Sequence, residues 1–234
     1  MKAIVLLLGT LLAVAAGPSA AAGLDNVLEQ LGVDTPPEAL APAPIPGFLE
    51  VARGTQVLYV SSDGKLVING DILSLDSETN LTEMRRGAIR REMLRAVPAD
   101  ARVALPAIGP KLARVIVFTD MDCPYCALLH RQHETLQRHG IEIHYLFYPR
   151  SGPDSASFDQ AVAVWCSKDS LAALDSALGG NTLPQTDCPN PVLQHYELAR
   201  ELELKGTPAV ITADGTVRYG LHRPEEILRI VRVD

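Results

Sequence analysis

Val115-Ile116-Val117-Phe118-Thr119-Asp120-Met121-Asp122-Cys123-Pro124-Tyr125-Cys126 joins an apolar, β-rich run to a helix-like segment that opens at its first cysteine. A thiol is a nucleophile only when deprotonated, and the partial positive charge of a helix N-terminus favours the thiolate. A strand-to-helix junction is therefore where a reactive cysteine belongs. Pro124 falls in the first turn, where a missing N–H costs nothing and a fixed φ helps the helix begin. Two cysteines at this spacing can also close a small disulfide and store two electrons reversibly. The stretch points to thiol–disulfide chemistry.

Upstream, Met1-Lys2 precedes an apolar core beginning Ala3-Ile4-Val5-Leu6-Leu7-Leu8 and a small-residue end, Ala20-Ala21-Ala22. One basic residue, a short apolar core and an Ala-x-Ala end predict a cleavable secretory signal over residues 1–22, cut after Ala22 with Ala21 as the near alternative. The core is shorter than the roughly 20 residues of a membrane-spanning helix. Export implies an oxidising compartment, in which four cysteines are a usable number. The 234-residue chain carries a formal charge of −7, and its few aromatics and lack of a basic run outside one helix exclude a nucleic-acid partner.

Composition shifts divide the remainder. Leu24, Val27, Leu28 and Leu31 have helical spacing, and a proline-rich stretch runs from Pro36 to Pro46. Residues 56–60 and 65–68 flank Ser61-Ser62-Asp63-Gly64, a hairpin signal, and residues 71–75 read as a further strand. This small α+β unit, residues 23–78, buries too little surface to stand alone and is expected to dimerise. Residues 79–110 read as a linker helix and linker: Asn80 and Glu83 form a capping box, arginines at 85, 86, 90, 91 and 95 form a solvated basic face, and Pro98 and Pro106–Pro110 follow.

Residues 111–234 read as strand, helix (ending near Gly140), strand (141–148), a helical stretch (155–205), a hairpin around Ala213-Asp214-Gly215, and a last helix from Pro224. Asn190-Pro191 looks like a cap followed by proline at the first helical position. An α/β crossover, hairpin and terminal helix with Cys-x-x-Cys at the first turn is a thioredoxin-like plan with a helical insertion.

The blocks at 118–126, Tyr148-Pro149-Arg150, 164–169 and Gly206-Thr207-Pro208-Ala209-Val210 resemble the bacterial periplasmic disulfide isomerases of the DsbC and DsbG type. The resemblance covers nearly the whole chain after the leader. It implies an N-terminal dimerisation domain, a linker helix and a thioredoxin-fold catalytic domain, with two protomers forming an apolar cleft for misfolded exported proteins. It also implies a periplasmic location, chaperone activity, no cofactor, and a membrane reductase of the DsbD type that keeps the site reduced. Cys123, expected to be the less buried thiol, attacks; Cys126, one turn on, resolves the mixed disulfide. Thr207-Pro208 matches the cis-proline loop on which extended substrate pairs.

Glycine is common in such isomerases where Pro124 stands, and Pro-Tyr is a feature of the DsbG branch. Asp122 adds a charge that opposes thiolate formation. Both bear on redox poise, leaving isomerase, holding chaperone and net dithiol oxidase as distinct readings. Cys166 and Cys188 fit no second Cys-x-x-Cys, and the resemblance implies a disulfide between them, closing a loop worth about 3 kcal/mol. A zinc site at Cys123, Cys126, His130 and His133 would put every ligand on one short helix, a poor tetrahedral cage, so no metal is expected and both histidines read as helix-surface residues.

Overall fold

A computed structural model describes residues 18–35 and 40–231. The expected leader lies outside the described residues as far as residue 17, and its cleavage point falls inside α1 (Pro18–Gln30), which begins upstream of the predicted helical spacing. The described residues divide into two compact units, one running as far as residue 53 and including 57–70, the other of residues 54–56 and from 71 onward.

In the first unit, α1 lies with β1 (Ala41–Pro42), β2 (Phe48–Arg53), β3 (Gln56–Ser61) and β4 (Val67–Ile68), which form a sheet in the order β1-β2-β3-β4. Leu24 and Leu28 pack on Val51, Leu58 and Val60, a core of few residues. The predicted hairpin is present, pairing Tyr59 with Ile68 and Val60 with Val67. Its turn holds Gly64 at φ +69°, and a Cβ there would collide with the Gly23 backbone. β2 was not anticipated. Only Val51 of its six residues is buried, so the alternation that marks a strand is faint.

The second unit opens with β5 (Leu73–Ser74) paired to β6 (Thr79–Asn80), a shorter strand than the one expected over 71–75 because little packs on its faces; Leu73 and Leu75 are exposed. The capping box is present. Asn80 Oδ1 accepts from the Glu83 N–H at 2.8 Å and starts α2 (Leu81–Arg95). Arginines on the basic face are paired rather than simply solvated: Arg86 with Asp71 at 2.7 Å, Arg90 with Glu83 at 2.6 Å and Arg95 with Glu92 at 3.5 Å. Inside this unit α2 sits against the Asp214-Gly215 turn, where a Cβ on Gly87 would lie 2.8 Å from the Asp214 carbonyl oxygen.

The main sheet runs β11-β10-β8-β9-β7. β8 (Ala113–Thr119) and β9 (Ile141–Phe147) are parallel and joined by a helical crossover, while β10 (Ala209–Ile211), β11 (Val217–Tyr219) and β7 (Val103–Leu105) add antiparallel edges. β7 falls in the stretch read as linker. Three residues between prolines carry almost no pattern, yet Val103 and Leu105 are buried against β9. The central strand is covered on both faces, so its run from Val115 to Phe118 is apolar rather than alternating. Val115 and Val117 join one core with Leu129, Leu174 and Ile227; Phe118 joins the other with Leu94, Leu146 and Ala199.

The crossover is two helices, α3 (Pro124–His130) and α4 (His133–Arg138), not one helix to Gly140. The His133 ring donates from Nδ1 to the His130 carbonyl at 2.7 Å, taking an acceptor that a continuous helix would use. The helical insertion is α5 (Ala156–Cys166) and α6 (Ser170–Leu178), followed by α7 (Val192–Glu201); α8 (Pro224–Val231) closes the chain. α7 begins one residue later than predicted, with Pro191 at the cap position and Asn190 Oδ1 accepting from the Val192 N–H.

Candidate active site

Cys123 is the N-cap residue of α3 with extended backbone (φ −94°, ψ 112°), and Pro124 starts the first turn. The end of β8 and the helix it feeds therefore hold the sulfur at the carboxyl edge of the parallel strands, the usual place for a site in an open α/β sheet. The Cys123 thiol donates to the Thr207 carbonyl at 3.2 Å, across 84 residues of sequence. Thr207–Pro208 is a cis peptide bond. The cysteine block and the Thr207-Pro208 block thus meet in space through Cys123 and Thr207, and Cys123 and Cys126 are free thiols.

Cys123 and Cys126 are almost equally buried in the resting fold. The two cysteines are 3% and 2% exposed, because the Thr207 loop covers the first and the core covers the second. Their surroundings still differ. Burial pushes the Cys126 thiol up to about 12, only partly offset by the neighbouring Thr119 hydroxyl and Asp120 backbone. Tyr125, between them, is exposed and presents an apolar ring at the mouth of the site.

Asp120 is a site residue that pattern reading passed over. Its buried carboxylate accepts from Arg150 Nε at 2.7 Å, from the Arg150 N–H at 3.2 Å, from the Asp122 N–H at 3.3 Å and from the Ser157 hydroxyl. It ties the β8–α3 junction to the loop after β9 and the start of α5. The hydrogen bond to Asp120, with the nearby charge, raises the Arg150 pKa above the usual range. The signal available in the sequence was an acid at the end of an apolar run, which burial makes costly unless paired.

Away from this site, Cys166 and Cys188 are bonded, S–S 2.03 Å, Cα–Cα 5.8 Å. His130 is not a surface residue. It is 4% exposed, with Nδ1 2.9 Å from the Tyr145 hydroxyl and Nε2 2.7 Å from Asp175 Oδ1. His130, His133 and Asp175 are the one cluster of metal-ligand type among the described residues, their ligand atoms within 4.8 Å. The two imidazoles are stacked at 22°, so their in-plane lone pairs run side by side, and both Nδ1 atoms are already engaged. These groups do not converge on a cation.

Two family models cover most of the chain: a thioredoxin-like domain matches residues 104–232, and a disulfide bond isomerase protein N-terminal domain matches residues 13–83. The thiol:disulfide interchange protein DsbC of Escherichia coli is 32% identical over 226 residues, spanning 94% of this chain and 92% of that protein. The chain belongs to the DsbC family. The DsbC of Haemophilus influenzae is 34% identical over 187 residues, 80% of each chain. A disulfide interchange protein of Neisseria gonorrhoeae overlays with TM-score 0.52 at 23% identity, covering 58% of this chain and 97% of that one, a likeness of fold. This DsbC-family chain is a thiol–disulfide oxidoreductase of the isomerase and reductase type, and its Cys-Pro-Tyr-Cys pair sits on the thioredoxin-like half.

Proposed function

We propose that Cys123 attacks incorrect disulfides in exported proteins and that Cys126 resolves the resulting mixed disulfide. The observation that carries this reading is the asymmetry of the pair: Cys123 caps a helix beside a backbone carbonyl, whereas burial holds Cys126 up near 12 as a thiol. Attack breaks the substrate S–S bond and joins one substrate sulfur to Cys123. A substrate thiolate that displaces Cys123 completes isomerisation with no net electron transfer. Displacement by Cys126 instead leaves reduced substrate and an oxidised enzyme. Displacing the Thr207 carbonyl from Cys123 would free that loop's backbone for an extended substrate segment.

The assembly we propose is a homodimer formed through the N-terminal domain of residues 23–78, with residues 79–110 as the link to the catalytic domain. β4 is an edge strand whose Leu66, Val67 and Ile68 neighbourhood is exposed and apolar, and such edges are commonly satisfied by a second chain. The leader-like N-terminus supports export to the periplasm, and no helix among the described residues is long and apolar enough to cross a membrane. Re-reduction there requires an electron donor, for which a membrane reductase of the DsbD type fits the family. A cleft between protomers would add holding activity toward misfolded chains, which a Cys123→Ala protein would retain.

The test is a scrambled multi-disulfide substrate in mildly reducing buffer with both serine variants. Cys123→Ser is expected to abolish isomerisation and reduction. Cys126→Ser is expected to keep some isomerisation, lose catalytic reduction and accumulate substrate-linked enzyme on non-reducing gels. Trapping by Cys123→Ser alone would reverse the roles.

A further inference from the structure

Away from the thiols, a cavity of about 380 Å³ opens between α2, β8 and β10. Its volume lies in the range of small-molecule sites, and all of its walls belong to the second unit. The floor is apolar: Leu94 of α2, Ile211 of β10, and Ile116 of β8, which pairs in register with Ile211. The rim carries four arginines. Arg91 and Arg95 stand four apart on α2 and so share one side of that helix. Arg102 precedes β7, and Arg114 lies near the start of β8, the end remote from Cys123.

Two of these guanidinium groups are already fixed. Arg102 Nη2 donates to the Leu94 carbonyl at 2.9 Å and to the Val97 carbonyl, and Nη1 lies 3.4 Å from His144 Nδ1. Arg114 Nε donates to Glu142 Oε2 at 2.8 Å. The other two are exposed. Arg91 has no ion-pair partner among the described residues, and Arg95 meets only Glu92, at 3.5 Å between two largely exposed side chains.

The acids nearby do not balance this rim. Glu142 is shared between Arg114 and Lys111, at 2.8 and 3.0 Å. Asp214, next to the wall residue Ala213, is filled by the Thr212 and Thr216 hydroxyls and the Thr216 N–H. His144 is pushed by burial toward its neutral form. Burial and then the Arg114 charge lower the Arg102 pKa, against the opposing pull of Glu142. Arg102 Nε is buried with no acceptor, a desolvated donor left uncompensated. Arginine stems often lie along apolar surface simply to cover it. That accounts for Arg91 and Arg95, but not for a buried donor without an acceptor beside a second guanidinium that repels it. In a chain with a formal charge of −7, such a local excess of positive charge is not a by-product of composition.

We propose that this cavity binds a small amphiphilic anion, its apolar body on Leu94, Ile116 and Ile211 and its oxyanion head among the four arginines. Guanidinium groups match oxyanions with paired N–H donors, and the head would supply the acceptor that Arg102 Nε lacks. Arg102 and Arg114 stand ready to orient the head, and the long exposed side chains of Arg91 and Arg95 can turn onto it. The site is independent of the thiol chemistry proposed above.

The test is calorimetric titration of the exported, full-length protein with octyl phosphate below its micelle concentration. One saturable site per chain is expected. Octyl glucoside, which keeps the chain and lacks the charge, and inorganic phosphate, which keeps the head and lacks the chain, should each bind at least about tenfold more weakly. Arg91→Gln with Arg95→Gln should weaken octyl phosphate about tenfold, whereas Arg138→Gln with Arg229→Gln, removing the same charge from α4 and α8, should change it less than about twofold. Reaction of Cys123 with dithiobis-nitrobenzoate should stay within about twofold in both double variants, which reports an intact fold. Sedimentation with phosphatidylglycerol vesicles separates two sources of the head: retention that the α2 substitutions abolish assigns it to a lipid, and no retention assigns it to a free anion. Absence of saturable octyl phosphate binding overturns the proposal, as does binding that the α2 substitutions leave unchanged. Equally tight octyl glucoside would mean an apolar pocket alone, and equal weakening by the α4 and α8 substitutions would mean net charge alone; either result also overturns it.

Discussion

Replacing Cys166 and Cys188 together by alanine removes a cross-link between residues 22 apart in sequence. In the chain-entropy account a closed loop of that size lowers the stability of the unfolded chain by about 3 kcal/mol at 25 °C. The folded loop has other anchors. Its first part is α6, with Ala173, Leu174, Ala177 and Leu178 buried, and Gln160 exchanges hydrogen bonds of 3.2 and 2.8 Å with the Leu183 backbone. The native geometry therefore survives the substitution, and the loss comes through the unfolded state. Urea unfolding followed by Trp165, the one tryptophan of the chain and the neighbour of Cys166, reports on this unit. With slopes of about 1–3 kcal/mol per molar urea, the midpoint should fall by about 1–3 M, and the slope should rise as the released chain exposes more surface. Disulfide exchange per folded molecule should not change, because Cys123 and Cys126 are untouched. A midpoint shift below about 0.3 M would refute the reasoning and mean that α6 and the Gln160 contacts already restrict the loop.

Buried His195 has its pKa pushed down to about 4 by loss of hydration. Because this lies below the unfolded value of about 6.5, the fold favours the neutral ring; its contribution, at most about 3 kcal/mol, is complete above pH 6.5 and is lost as pH falls toward 4. His130 and His144, both lowered by burial, act in the same direction, so His195→Gln should flatten the acid limb of the stability curve only in part, and an unaltered limb would remove His195 as a cause. Light scattering should give twice the chain mass for the exported protein, and Leu66→Lys with Val67→Lys should halve it. A fragment beginning near Pro98, which keeps β7, should be monomeric; a dimeric fragment would move the interface out of the N-terminal domain.

The features legible in the sequence are those whose cause is local. Val115 to Phe118 reads as a buried parallel strand because it is apolar on both faces, and Asn80 reads as a cap because its partner, the Glu83 N–H, is on the next turn. Asp63-Gly64 and Asp214-Gly215 read as hairpins because only glycine takes their positive φ without strain. The reactive pair was legible for the same reason: strand, Cys-Pro-Tyr-Cys and helix lie within a dozen positions. β2 and β7 were not, since one has a single buried residue and the other is three residues long, too little for a period to register.

From the sequence alone came the chemistry, the order of elements and the partners that the family blocks imply. What tertiary structure decided is the environment of each group. Asp120 finds Arg150 and Ser157 at separations of 30 and 37 residues, Cys123 finds Thr207 at 84, and His130 finds Tyr145 and Asp175 at 15 and 45. Helical spacing says which side of α3 His130 occupies, but not that β9 and α6 close over it. Desolvation and hydrogen bonding depend on those distant neighbours, and they turn a residue read as a surface histidine into a buried link in a hydrogen-bonded chain.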